Sequence, residues 1–175
     1  MNVEHRVHYV SGPVYNQEKF EAEINTLGHD NLISIIGRTS WNVSMNGIGR
    51  CLVDVMIDSL SSKNARMAVD NYFTIASAQE TAANIIKCLE SDFHGIVHIA
   101  SPSPISRFDI ADTIVKASRL SNLNFSPCHY ADLEISKHRS RLNILDTTLS
   151  ILKFNAKYSD PRSILIKKVA KMNHG

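Results

Sequence analysis

Glycine is scarce in this chain, with seven in 175 residues, and none of the seven falls into G-x-G-x-x-G or G-x-x-G-x-x-G. The sequence therefore lacks the glycine-rich turn that seats a dinucleotide's diphosphate at a helix N-terminus. Gly47-Ile-Gly49 comes nearest, without the third glycine or a preceding mononucleotide unit. Cysteine is equally sparse: Cys51, Cys88 and Cys128 are odd in number, widely spaced and outside any C-x-x-C pattern. That excludes a disulfide framework and a cysteine zinc site, and it fits a reducing cytoplasm. No apolar run approaches the roughly 18 residues of a membrane span, and Met1 to Arg6 is too polar for a signal peptide, so no membrane partner is expected. A net charge of +2 without a clustered basic stripe argues against nucleic acid as a partner. Lys167, Lys168 and Lys171 read as the solvated face of a last helix. His94 and His98 do not match a helical metal pair and His129 and His138 read as loop residues, so no metal is expected.

Hydrophobic residues make up 43% of the chain, enough at this length for one domain with a real core, and residues 1–175 are read as a single domain. His8 to Val10 is a short strand candidate, broken by Ser11-Gly-Pro13. A helix follows from about Tyr15 to Leu27, with Phe20 and Ile24 as its apolar pair and Gly28 as its stop. Leu32 to Ile36 reads as a buried strand, and Asn46-Gly47 marks a turn. The next helix aligns Ile48, Leu52, Val53, Met56, Ile57 and Leu60 on one stripe. Ala65 to Val69 is a strand; Ala78 to Leu89 is a helix with Ala82, Ile85, Ile86 and Leu89 on its apolar side. Gly95 to Ala100 is again strand-like, and Ser106 with Asp109 starts a helix that buries Phe108, Ala111, Ile114 and Val115. Asp146 is expected to cap a short helix through Leu152, and Asp160-Pro161 starts a last one with Ile164, Leu165 and Val169 inward. Strands alternating with helices of about a dozen residues imply parallel pairing and an α/β layered fold.

Chemistry centres on Tyr15 and Lys19, which share a helix face four residues apart. A phenol has an ordinary pKa of about 10, and an ammonium within roughly 4–6 Å favours its phenolate. Such a tyrosine hands a proton to a ketone oxygen as hydride arrives, and the lysine can also hold coenzyme ribose hydroxyls. A surface tyrosine beside a solvated lysine is the plainer alternative.

The order of segments adds to this. After the pair come the apolar strand and Arg38-Thr-Ser-Trp41, then Asp70-Asn-Tyr-Phe-Thr-Ile-Ala-Ser77 with Glu80-Thr-Ala82, then Gly95 to Ala100, Ser106-Arg-Phe108, and Arg139 to Leu145-Asp146. From about Pro13 to Lys168 this resembles the dTDP-4-dehydrorhamnose reductases among the extended short-chain dehydrogenases that act on nucleotide sugars. The resemblance implies a partial Rossmann-like parallel sheet with flanking helices and a small substrate-binding portion. It corresponds to the C-terminal half of such an enzyme, without the N-terminal dinucleotide-binding half. It also implies reduction of a nucleotide-linked keto sugar by NADPH or NADH, with Tyr15 as proton donor and Lys19 orienting coenzyme and tyrosine. Arg38 is placed on the coenzyme side, and Trp41, Arg107 and Arg139 on the substrate side.

Trp41 is alternatively simple core, and Arg107 a solvated residue of a helix's first turn. The chain departs from the family's pattern at Val43-Ser44, at Gly49-Arg50 and at Ser140, where Tyr-Gly, Asn-Phe and proline are usual. Ser11 lies too close to Tyr15 to take the family's catalytic serine role. An isolated chain of this kind is expected to need a protein partner that supplies or replaces the missing half. The rival readings are a regulatory or scaffolding subunit of the same fold and a truncated, inactive product.

Overall fold

Three helix starts are written into the sequence as side-chain caps, and the computed structural model, which describes residues 14–28, 34–45, 50–120, 123–137 and 139–173, forms each of them. Ser77 Oγ accepts from the Glu80 amide at 3.2 Å and opens a helix at Ala78–Leu89. Ser106 Oγ accepts from the Asp109 amide at 2.9 Å and opens one at Arg107–Ala117. Asp160 accepts from the Ser163 amide at 3.1 Å, with Pro161 in the first turn of Pro161–Met172. Each cap satisfies an amide that the helix itself leaves unpaired.

In chain order the elements are α1 (Val14–Leu27), β1 (Ile35–Thr39), β2 (Trp41–Val43), α2 (Leu52–Leu60), β3 (Arg66–Ala68), β4 (Tyr72–Phe73), β5 (Ile75–Ser77) and α3 (Ala78–Leu89). They continue with β6 (Gly95–Ile99), β7 (Ile105–Ser106), α4 (Arg107–Ala117), β8 (Ser126–Cys128), β9 (Leu142–Asn143), α5 (Thr148–Phe154) and α6 (Pro161–Met172). Pairing is mostly parallel, as the alternation of strand and helix implies: β1 runs with β6 from Ile35 opposite Gly95, β2 with β5 from Trp41 opposite Ile75, and β3 with β8. The exception is β4, which pairs parallel with β9 but antiparallel with β7, so that Tyr72 faces Ser106. That hairpin-like contact brings the start of α4 to the chain segment at Asn71.

The main core lies where α2, α4 and α6 close over β2, β3 and β5. Val53, Met56, Leu60, Ile75, Ile110, Ile114, Ile164 and Leu165 meet there almost without exposure. Each such side chain stabilises the fold by roughly 1.5–3 kcal/mol through removal from water. A smaller cluster of Cys88, Phe93, Val97, Ile99 and Phe154 fills the space beside β6. The three cysteines are free and buried.

Several expectations are corrected. Of the strand expected at Leu32 to Ile36, Leu32 and Ile33 lie outside the described residues; β1 runs from Ile35 to Thr39, half-exposed where a buried strand was expected, because β6 is its one neighbour among the described residues. On α1 it is Glu23 that joins Phe20 on the half-buried side, while Ile24 is 47% exposed; the Arg38 guanidinium neutralises Glu23 there. The apolar stripe of α3 faces outward, with Ile85, Ile86 and Leu89 37%, 53% and 66% exposed, and Thr81, Asn84 and Cys88 are the buried face. Asn84 donates to the Lys157 carbonyl and Thr81 to Asn42 Oδ1 at 2.6 Å, so hydrogen bonds hold that side down. Lys168 is buried instead of solvated, with its positive charge helping to hold Asp54 ionised. Thr147, one residue after the expected Asp146, sits at the N-cap of α5, which extends to Phe154; Asp146 accepts from the Thr148 amide at 3.0 Å. The strand candidate at His8 to Val10, the break at Ser11 to Pro13, Ile48 and the Asn46-Gly47 turn lie outside the described residues.

Candidate functional site

Strand pairing brings together a group of chemically useful side chains. Trp41 opens β2 beside β5, and its ring stacks on Phe73 of β4 with centroids 4.5 Å apart and planes 17° from parallel. Phe73 is buried, whereas Trp41 keeps 36% of its surface, so the pair presents a flat aromatic face at the surface. The Arg107 guanidinium, at the first position of α4, lies 5.3 Å from the Phe73 centroid and 5.7 Å from that of Trp41. Cations over aromatic faces gain from the ring quadrupole.

The buried Asn71 aims the guanidinium. Its Oδ1 accepts from Arg107 Nε at 3.0 Å, its Nδ2 donates to the Arg141 carbonyl at 2.6 Å, and its own carbonyl accepts from the Arg107 amide at 2.8 Å. No carboxylate pairs with Arg107 among the described residues. Burial pulls its pKa below the ordinary arginine value, with nearby Tyr130 and Cys128 acting in the opposite direction. An arginine remains protonated in proteins. The outcome is a half-buried cation, fixed in direction, whose protein hydrogen-bond partner is a neutral amide.

Tyr130 borders this group. Its hydroxyl donates to the Arg139 carbonyl at 2.8 Å, and burial pushes its pKa up against the pull of Arg107 and Arg139. Its amide donates to Asp70 Oδ1 at 2.7 Å, the largest reason why the Asp70 carboxyl titrates below its usual range; Arg141 Nη1 lies 3.6 Å from the same carboxylate. Of the substrate-side residues expected from the sequence, Trp41 and Arg107 come together, and Arg139 is on the exposed rim beside Tyr130. Asn71, Phe73 and Tyr130 carry the geometry without a local motif that marks them. The readable signal for Asn71 was its place in the Asp70 to Ser77 segment.

The other expected residues lie on α1 and β1. Lys19 is exposed on α1, and the helix includes Tyr15, whose side chain lies outside the described residues. Arg38 leaves β1 toward α1, where Nε reaches Glu23 Oε1 at 2.8 Å and Nη2 reaches Oε2 at 2.5 Å. This bidentate bond is the main reason why the Arg38 pKa is raised. Arg38 Nη1 is 3.5 Å from His98 Nε2, and His98 Nδ1 is 2.9 Å from the Asp146 carbonyl.

No family model and no curated protein matches the sequence. Solved structures do. A dTDP-4-dehydrorhamnose reductase from Clostridium acetobutylicum superposes with a TM-score of 0.80 at 19% identity, over 96% of this chain and 59% of that one. Over that portion the fold is shared with a dTDP-4-dehydrorhamnose reductase. The Bacillus anthracis reductase of that name, in complex with NADP, matches with a TM-score of 0.77 at 18% identity, over 94% of this chain and 58% of its own. A UDP-glucuronic acid 4-epimerase from Bacillus cereus, in complex with UDP-glucuronic acid and NAD, matches at 0.73 and 14% identity, over 99% and 57%. The chain thus spans a little under three fifths of the length of these structures. The α/β arrangement of parallel strands and flanking helices is shared with them.

Proposed function

We propose that the chain is the substrate-side, C-terminal portion of a nucleotide-sugar reductase, binding a nucleotide-linked keto sugar at the Trp41–Arg107 group. The observation that carries this reading is the Arg107 guanidinium, held by Asn71 against two stacked rings and lacking a carboxylate of its own. A nucleotide sugar offers a base or sugar to stack and a diphosphate to neutralise the cation. Arg139 stands at the rim as a second diphosphate contact. Tyr15 serves as proton donor and Lys19 orients it, Lys19 and Arg38 also bordering the coenzyme. In the complete enzyme NADPH or NADH supplies hydride. In this chain Lys19 fits a coenzyme ribose, but no glycine-rich turn exists to cradle the diphosphate, so the residues present do not suit the whole coenzyme. Turnover then requires a partner segment that grips it. A cytoplasmic setting agrees with three free cysteines and with the absence, among the described residues, of a helix long and apolar enough to cross a membrane.

Calorimetric titration of the chain with dTDP- and UDP-linked sugars tests the binding site. Arg107→Met should weaken affinity roughly 10- to 100-fold, the worth of hydrogen bonds to a charged group, measured well below an unfolding midpoint that drops because buried Asn71 Oδ1 loses its donor. Equal affinity in wild type and variant would remove Arg107 from the site. A second reading, a non-catalytic subunit that docks on another enzyme, is favoured by the outward apolar residues of α3. A complex that assembles and works equally with Tyr15→Phe supports it over catalysis.

A further inference from the structure

Helix α1 bears Tyr15 and Lys19; among its described side chains Ile24 and Leu27 point to solvent, while Phe20 and Glu23 are half-buried. A polar chain joins it to the sheet, across α1, β1, β6 and the segment before α5. Glu23 of α1, with its side chain only 15% exposed, accepts two N–H groups of Arg38 on β1. Arg38 Nη1 then turns to His98 on β6, and His98 in turn meets the backbone just before α5.

The direction of these bonds sets the tautomer of the neutral ring. The Asp146 carbonyl can only accept, so His98 Nδ1 carries a proton. In the neutral ring Nε2 is then an acceptor, which suits an Arg38 N–H at 3.5 Å. A His98 cation would set a second N–H donor against the guanidinium, like charge facing like charge. Glu23, on the far side of Arg38, and Asp146 favour the cation, but burial and Arg38 together outweigh them.

We propose that Glu23, Arg38 and neutral His98 form a positioning relay that seats helix α1, and with it the Tyr15–Lys19 register, on the β1–β6 sheet, and that protonating His98 releases it. The purpose of the relay rests on the reading of α1 as the reaction's helix; its mechanics do not. Tyr15, Lys19 and Glu23 follow one another at four-residue steps, so the relay grips the same stripe that carries the chemistry. The charged groups facing His98 are Arg38 from β1, Glu23 from α1 and Asp146 from the segment before α5. Burial, the largest influence, holds the His98 pKa below the ordinary 6.5, against the Asp146 carbonyl, which raises it. The relay is therefore complete at neutral pH and fails as pH falls through the His98 pKa.

Amide hydrogen exchange on the full chain, corrected for the pH dependence of intrinsic exchange, measures this. Protection of α1 should fall by up to about tenfold per pH unit from about pH 6.5 down to the lowered His98 pKa and level off below it, while α4 and α6 keep theirs. His98→Gln, which does not titrate, should give a flat α1 profile, and Arg38→Met should lower α1 protection at every pH. The paired swap Glu23→Arg with Arg38→Glu places a carboxylate beside His98, so its α1 profile should rise toward acid. A flat wild-type profile, the same slope in His98→Gln, or loss spread equally over α1, α4 and α6 would overturn the relay. Because exchange needs no substrate, these results stand apart from any failure to bind a nucleotide sugar.

Discussion

Helices α3 and α4 begin alike and end differently. Both open on a serine that accepts from the amide three residues on, and they run for twelve and eleven residues. Helix α4 then buries Ile110, Ala111 and Ile114 against α2 and α6, whereas α3 turns Ile85, Ile86 and Leu89 outward and buries Thr81, Asn84 and Cys88. An apolar stripe at helical spacing thus establishes that a helix exists, but not which way the stripe faces. The region of α4 forms its own core. The region of α3 and β1 presents apolar surface around a cleft of about 150 Å³ between Ile35, Gly37, Ile85, Cys88, Leu89 and Ile99.

The sharpest way to break that comparison is to truncate isoleucine on each helix. Ile110 is fully buried, so Ile110→Ala loses both its transfer from water and the packing around the cavity left behind, about 2–5 kcal/mol. Ile86→Ala, on a half-exposed side chain, should stay within about 0.5 kcal/mol. Urea unfolding of the two variants gives the difference directly. Equal losses would mean that the outer face of α3 is covered in solution.

A smaller effect separates what the two helices lean on. Glu80, in the first turn of α3, accepts from the Ser159 amide at 2.9 Å and from its hydroxyl at 2.6 Å, tying α3 to the segment before α6. Burial pushes the Glu80 pKa up, but the bonds from Ser159 and Ser77 outweigh it and hold the carboxyl below its ordinary value of 4.5. A depressed folded pKa means stability that is fully present above the unfolded value and lost as pH falls through the folded one. Glu80→Gln should therefore cost about 1 kcal/mol near pH 7, and the gap to wild type should close on acidification below about pH 4.5. A gap that is constant down to pH 3 would mean that the charge contributes nothing.

These contrasts also explain what the sequence could disclose. Caps were legible because Ser106 with Asp109 and Asp160 with Pro161 act within four residues, and the alternation of strands and helices was enough to indicate parallel pairing. Ser77 with Glu80 fits the same capping pattern but is masked by its place inside a strand-to-helix junction. Partners far apart in the chain were not legible. Asn71 acquires its meaning only when β4 meets β7 and brings Arg107 to it, and Phe73 only when Trp41 is laid on it. Trp41 and Arg107 were readable as candidates through the order of segments. Their meeting, and the seating of Arg38 on Glu23, are products of tertiary pairing.

The least costly change on α3 is the most informative about its surroundings. Leu89 is 66% exposed, and its remaining contacts line the cleft beside Ile35 and Ile99. Replacing it with serine removes apolar surface that the chain itself leaves mostly in water. Leu89→Ser should therefore change stability by no more than about 0.5 kcal/mol, and pairing it with Ile86→Ser should lower the binding of an apolar fluorescent dye. If a partner segment covers this face in the working protein, the same double variant should fold normally yet lose the complex on a sizing column. A variant that unfolds by itself would instead place Leu89 inside this chain's own core, and the difference between the two helices would vanish.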